Sequence, residues 1–281
     1  MSSYINQATL EQSLYFSLPY DYNGLFKIYP IKMSQILEYK TYVQSILVRK
    51  DSIFPIKQII KSDYLDFLKF VDNNVELEIQ YQVPNLHLFY GFFLLLLKLV
   101  CENENQTIQY NDVTKDIAIM VKIPSNSNQN ENDKEKSEPK INAITLTGEM
   151  VDDIRRIIIA QNDEDFDVDG FMNRGTEERL NKAQRDLNPN EQSPTIEDRI
   201  DSLTVGLHMN VEEIRNLTIR KFNRLLKRVI TYEEYKTSTL ALKTGMVKFK
   251  EPIKHWTSPI EVEDKYKHVK TDESELRNKI Q

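Results

Sequence analysis

"LHLFYGFFLLLLKLVC", residues 86–101, decides the class of the fold. These sixteen residues carry His87 and Lys98. They fall short of the roughly 20 apolar residues that span a bilayer. The run therefore reads as a helix buried in a protein core. A partner-binding face and a membrane-surface segment are the other readings. Pro84 takes an early position in the same helix, where its missing N–H costs little. Cys101 closes the run and reads as a small core residue. It is the single cysteine of the chain, which excludes an intramolecular disulfide and a multi-cysteine metal cluster.

Outward on the N-terminal side, residues 10–18 read as a short helix ended by Pro19, and "PYDYNGLFKIYPI" (19–31) as a turn segment rich in Pro and aromatics. Met33, Ile36, Leu37, Val43 and Leu47 fall close to helical spacing. "DYLDFLKFV" (63–71) after Ser62 gives another short helix.

On the C-terminal side the texture changes. "TIQYND" (107–112), "DIAIMVKI" (116–123) and "INAITLTG" (141–148) are rich in β-branched residues and read as a small antiparallel sheet. Between the last two, residues 125–140 hold no large apolar side chain. Such a stretch cannot offset its ordering entropy and reads as a disordered polar loop. Thr147 is an N-cap for a helix over 148–161, with Met150, Val151, Ile154, Ile157 and Ile158 as its apolar face. Residues 176–187 read as a polar helix and "NPNEQSP" (188–194) as a linker. Thr195 with Asp198 forms a capping box, and Asn210 caps the next helix. From Val211 to about Leu242 there is no Gly or Pro, so a long helix is expected, with a break near Thr218 and a stop at Gly245.

The expected fold is α+β and mainly helical. Its parts are an N-terminal helical region (1–104), a β-appendage (105–147), a C-terminal helical domain (148–245) and an extended tail (246–281). Seven Gly and ten Pro are few for this length, which favours long helices. A net charge of −6 does not favour nucleic acid or an anionic membrane as partner. The opening "MSSYINQATLEQ" lacks the basic-then-apolar layout of a signal peptide, so a cytosolic fold is expected.

Four features compete as sites. "DFDVDGFMNRGTEE" (165–178) puts Asp165, Asp167, Asp169 and Gly170 at the first, third, fifth and sixth places of an EF-hand loop. The twelfth place, where such a loop needs Glu, is Thr176; Glu177 and Glu178 come one and two residues too late. One residue is about 100° of helix rotation, so those carboxylates point away from an ion. The three aspartates stay a weak calcium candidate, and an acidic turn with Phe166, Val168, Phe171 and Met172 packed down is the stronger reading. The second feature is a basic helix, 211–230, with Arg215, Arg220, Lys221, Arg224, Lys227 and Arg228. Its outline resembles a helix-turn-helix, although such helices are more often solvated faces paired with acid. The third is catalysis. His87, His208, His255 and His268 are scattered, and no nucleophile elbow, phosphate loop or dinucleotide fingerprint occurs, so neither an enzyme nor a cofactor is expected. The fourth is "MVKFKEPIKHW" (246–256), which alternates apolar and basic residues as a strand or edge-binding peptide does. It reads either as a tail docked on its own domain or as a segment that adds to a partner. Met246, Phe249, Pro252 and Trp256 are its candidate partner contacts.

The run 196–256, "IEDRIDSLTVGLHMNVEEIRNLTIRKFNRLLKRVITYEEYKTSTLALKTGMVKFKEPIKHW", resembles tail-morphogenesis proteins of phages of Gram-positive bacteria. "MVDDIRRIIIAQNDEDFDVDGFMN" (150–173) and "LPYDYNGLFKIYPIKM" (18–33) fit the same class. None of these blocks is catalytic. The resemblance implies a non-enzymatic role in tail or baseplate morphogenesis through protein–protein binding, first as a tail assembly chaperone in the host cytoplasm. The alternatives are a structural virion component (tail, baseplate or neck) and a nucleic-acid-binding regulator using helix 211–230. Tail or baseplate proteins are the implied partners.

Overall fold

The computed structural model describes residues 4–53, 56–74, 76, 87–101, 103–123, 140–162, 166–168, 176, 179–180, 182–183, 194–245, 247–249 and 251–260. Among the described residues the chain is mainly helical with two small antiparallel sheets, and it divides into two compact units. Unit 1 holds residues up to Gly170 together with Thr218–Arg220; unit 2 holds Phe171–Leu217 and Lys221 onward.

Unit 1 begins with helix α1 (Gln7–Phe16), capped by the Asn6 side chain, which accepts from Thr9 N–H. A two-stranded hairpin follows, β1 (Tyr20–Tyr22) and β2 (Phe26–Ile28). Its turn uses Asn23 (φ 55°) and Gly24 (φ 72°), the left-handed pair that suits a hairpin's twist. The segment expected as a turn is thus a hairpin, and its inward residues Tyr20, Tyr22, Phe26 and Ile28 are buried. A 3₁₀ turn (Met33–Gln35) leads to short helices α2 (Ile36–Tyr42), α3 (Gln44–Leu47), α4 (Lys50–Ile53) and α5 (Lys57–Lys61). Helix α6 (Tyr64–Asn73) buries Tyr64, Leu65, Phe67, Leu68 and Val71.

The apolar run that decides the fold is helix α7 (Leu88–Leu95), whose last turn, Leu96–Val100, widens to a π-helix. Leu88, Phe89, Phe92, Leu95, Leu96, Leu99 and Val100 are buried while Lys98 faces out, and Cys101 is buried. No helix among the described residues is long and apolar enough to cross a membrane. Burying each such large side chain contributes about 1.5–3 kcal/mol, so this run is a main contributor to the core of unit 1. Its N-terminus is capped from α6: Phe89 N–H donates to Asp72 Oδ1 at 3.2 Å and Tyr90 N–H to Oδ2 at 3.3 Å. A carboxylate there satisfies free N–H groups and matches the helix dipole. Pro84 lies outside the described residues.

Strands β3 (Gln106–Asn111), β4 (Asp116–Ile123) and β5 (Lys140–Thr145) form the expected antiparallel sheet in that order. It is tied into unit 1 rather than appended to it. The Gln106 amide donates to the Lys27 carbonyl at 2.6 Å and accepts from Lys27 N–H at 3.1 Å. It also donates to the Cys101 carbonyl. Tyr110 packs on Phe93 and Phe89, with centroids 5.2 and 5.8 Å apart. Lys140, expected in the polar loop, opens β5; residues 124–139 lie outside the described residues.

Helix α8 (Gly148–Gln161) starts at Thr147, whose hydroxyl accepts from Met150 N–H. Val151, Ile154, Ile157 and Ile158 are buried against α6, α1 and β2. The boundary expected at residue 148 therefore moves: this helix belongs to unit 1 because its apolar face completes that core. Arg155, though charged, is buried. Its Nε donates to the Ile46 carbonyl at 2.7 Å and Nη2 to that of Val48 at 3.0 Å, and the guanidinium lies 3.8 Å over the Tyr64 ring. Burial pushes the Tyr64 hydroxyl up to about 12, with Arg155 pulling the other way. The Asp153 carboxylate accepts from the Tyr22 hydroxyl at 2.9 Å and from Tyr4 N–H at 3.3 Å.

Candidate functional site

In the acidic turn, Phe166 and Val168 are half-buried and Asp167 is exposed, as the packed-turn reading expects. Phe166 sits under two guanidinium groups, 4.9 Å from Arg49 and 5.3 Å from Arg155. Asp165, Asp169, Gly170, Phe171 and Met172 lie outside the described residues, as does most of the expected helix 176–187. Among the described residues no group of three or more His, Cys, Asp or Glu side chains is placed to hold a metal ion.

Among the described residues, unit 2 holds helices α9 (Ile196–Leu207), α10 (Val211–Asn216) and α11 (Ile219–Lys243), the last reckoned from Lys221 onward. The local chemistry of each boundary is the one the sequence announces. Thr195 and Asp198 form a reciprocal box, with Thr195 N–H donating to Asp198 Oδ2 at 2.7 Å and Asp198 N–H to Thr195 Oγ1 at 3.1 Å. The Thr195 hydroxyl and backbone hold the Asp198 carboxyl below its ordinary range. Asn210 and Glu213 repeat the box at 2.9 and 2.8 Å. Extended backbone at Leu217 gives the expected break. Gly245 (φ 70°) stops α11, its N–H donating to the Leu242 carbonyl at 3.1 Å. Helices α9 and α11 cross at Gly206: a Cβ there would lie 2.7 Å from Cγ1 of Val229.

The chain after Gly245 turns back on α11 as an irregular strap. Arg228 fixes it, donating from Nη1 to the carbonyls of Trp256 and Ser258, the latter at 2.9 Å. The Trp256 ring stands edge-on to Tyr232, with centroids 5.5 Å apart at 80°. His255 meets Tyr235 at 4.9 Å. His255 Nδ1 accepts from Thr257 N–H at 3.3 Å, which rigidifies the anchored end. The strand expected over 246–256 does not form among the described residues. Pro252 supplies no N–H, and two of the strap's carbonyls are taken by Arg228.

Between strap and helix lies a groove of about 490 Å³. Lys227, Ile230, Thr231, Glu234 and Ser238 floor it, and Phe249, Pro252, Ile253 and Pro259 wall it. Phe249 (41 % exposed) and Ile230 (50 % exposed) present apolar surface to it. Of the four candidate contacts, Phe249 and Pro252 thus line one groove. Trp256 anchors the strap from behind, and Met246 lies outside the described residues. The arrangement can seat a segment of protein on an apolar centre with charges at its rim.

Sequence reasoning did not find the Arg228 clamp or the Gly206 crossing. A glycine inside a helix signals close approach, whereas an arginine that will donate to main-chain carbonyls carries no local signature. The basic helix is correspondingly less free than it reads. Arg215 pairs with Glu212 at 3.0 Å, Arg220 donates to the Ala160 carbonyl within unit 1 at 3.1 Å, and Arg228 holds the strap.

Residues 188–261 match the model of the family described as YomV second domain, a phage-type family. The match covers about a quarter of the chain and takes in α9, α10, α11 and the strap. No curated protein and no solved structure matches the chain.

Proposed function

We propose that this protein acts in phage tail or baseplate morphogenesis by binding other proteins, as an assembly chaperone without a catalytic step or cofactor. One observation carries this reading. The segment similar to a phage-type domain is the one that builds the groove, and Phe249 and Pro252 line it. The mechanism is transient cover of apolar surface on a tail or baseplate subunit in the host cytoplasm. Ile230 and Phe249 supply apolar contact, and Trp256 holds the strap in place for it. Truncation after Gly245 removes one wall of the groove and leaves the core of unit 1 intact. The truncated chain should keep its helical signal and lose capture of tail proteins in a pull-down. Unchanged capture ends this reading.

A structural virion subunit is the second reading. Val205, Leu240 and Leu242 are 74 %, 63 % and 50 % exposed, the kind of surface a virion part buries permanently against its neighbours. Mass spectrometry of purified particles separates the two. A stoichiometric component stays with the particle and a chaperone does not. For a nucleic-acid regulator, three guanidinium groups of the basic helix are already engaged within the chain. Retention on DNA that weakens steeply with salt would restore that alternative.

A further inference from the structure

Helix α11 carries its charges in an order that complements its own reverse. On the face that floors the groove, Lys227 comes first, Ile230 and Thr231 stand at the centre, and Glu234 follows. Steps of three and four residues keep these positions on one side of a helix. Lys227 and Glu234 are exposed, and neither belongs to an ion pair among the described residues.

We infer that this groove is a self-association surface, occupied by α11 of a second copy of the chain lying antiparallel. With the two helices crossing between Ile230 and Thr231, Lys227 of each copy faces Glu234 of the other. Ile230 then lies against the partner's Thr231. The same patch serves both copies, as a two-fold interface requires. Antiparallel packing also sets the two helix dipoles head to tail. A parallel pair in register would instead place Lys227 on Lys227 and Glu234 on Glu234.

A second observation points the same way. Among the described residues of unit 2, only Leu203, Ile214 and Phe222 are fully buried apolar side chains. Ile230 stays 50 % exposed and Tyr232 43 % exposed on the same helix. So small a core gains most from cover on the long helix.

The inference concerns the chain alone: a second copy covers the groove where no tail or baseplate protein is bound. It therefore does not rest on the morphogenesis reading and is decided on the purified chain, whatever particle and pull-down experiments find. The test is light scattering on the full chain over a concentration series, with circular dichroism to verify folding. The wild type should show the mass of a dimer. Lys227→Glu and Glu234→Lys should each fall to monomer, because like charges then face each other twice. An equimolar mixture of the two variants should recover the dimer, since every facing pair is again opposite in sign. The double variant should dimerise by itself. A monomeric wild type overturns the inference, including one whose groove captures a segment of another protein. So do single variants that keep the dimer mass, and a mixture that stays monomeric.

Discussion

The Arg228 guanidinium donates to the Ser258 carbonyl at 2.9 Å, across thirty residues of chain. The same nitrogen also donates to the Trp256 carbonyl. These charge-assisted bonds, each worth about 1.5–3 kcal/mol, hold the strap beside α11 and keep the groove formed. Arg228→Ala should release it. The single Trp of the chain, Trp256, packs on Tyr232 in the anchored state, so its fluorescence should shift to the red and become quenchable. The helical signal and urea midpoint should barely move, because a peripheral segment detaches without global unfolding. An unchanged Trp spectrum would refute the clamp.

At Gly206, alanine should have the opposite of its usual effect. In a helix interior Gly→Ala ordinarily stabilises by about 1 kcal/mol. Here the new Cβ would meet Val229 Cγ1 at 2.7 Å. Val229 is branched at Cβ and stiff at χ1, so it cannot swing aside cheaply, and overpacking of this kind costs about 1–3 kcal/mol. Gly206→Ala should lower the thermal midpoint. In a Val229→Ala background the same change should become neutral or stabilising. Equal effects in both backgrounds would mean that the two helices do not meet there.

Arg155 joins parts of unit 1 that are far apart in sequence: α8, the end of α3, Tyr64 of α6 and Phe166 of the acidic turn. Arg155→Met keeps the stem but strands two carbonyls, so it should cost roughly 3–6 kcal/mol, at 1.5–3 kcal/mol for each bond to a charged group. Arg155→Lys should also destabilise, since a point charge cannot fork to two acceptors or stack on the ring. Urea unfolding of the three proteins decides it; a lysine variant as stable as wild type removes the fork from the account.

Features with local chemistry were legible from the sequence. Thr147, Thr195 with Asp198, Asn210 and Gly245 set helix ends because a side-chain oxygen or a left-handed glycine acts within a few residues. The apolar run read as core because its length and composition settle the matter. What escaped needed tertiary knowledge. The periodicity of helix 148–161 shows that it must pack but not on which unit, so the domain boundary fell too early. Asp72 caps a helix other than its own, and Gln106 replaces main-chain partners of Lys27 and Cys101. In the groove, Phe249 and Pro252 were legible as exposed aromatic and breaker. The role of Trp256 was not, because only the fold shows that it faces its own helix. Asn23-Gly24 did carry a hairpin signal, but the Pro-rich flanks masked it as a turn.

Asp152 should make stability depend on pH in the sense opposite to a salt-bridged carboxylate. Burial raises its pKa, and Lys50 and Arg155 nearby offset only part of that. Its folded pKa therefore lies above its unfolded one, so its contribution to stability is full in acid and is lost as pH climbs through the raised value. Asp152→Asn mimics the protonated form throughout. Variant and wild type should unfold at similar urea concentrations near about pH 3, below the ordinary carboxylate range. The variant should gain on the wild type as pH rises, and the gap should level off once pH has passed the raised folded value and the carboxyl is ionised in both states. A gap that does not change with pH, or one favouring wild type at neutral pH, would show that Lys50 and Arg155 outweigh burial at this position.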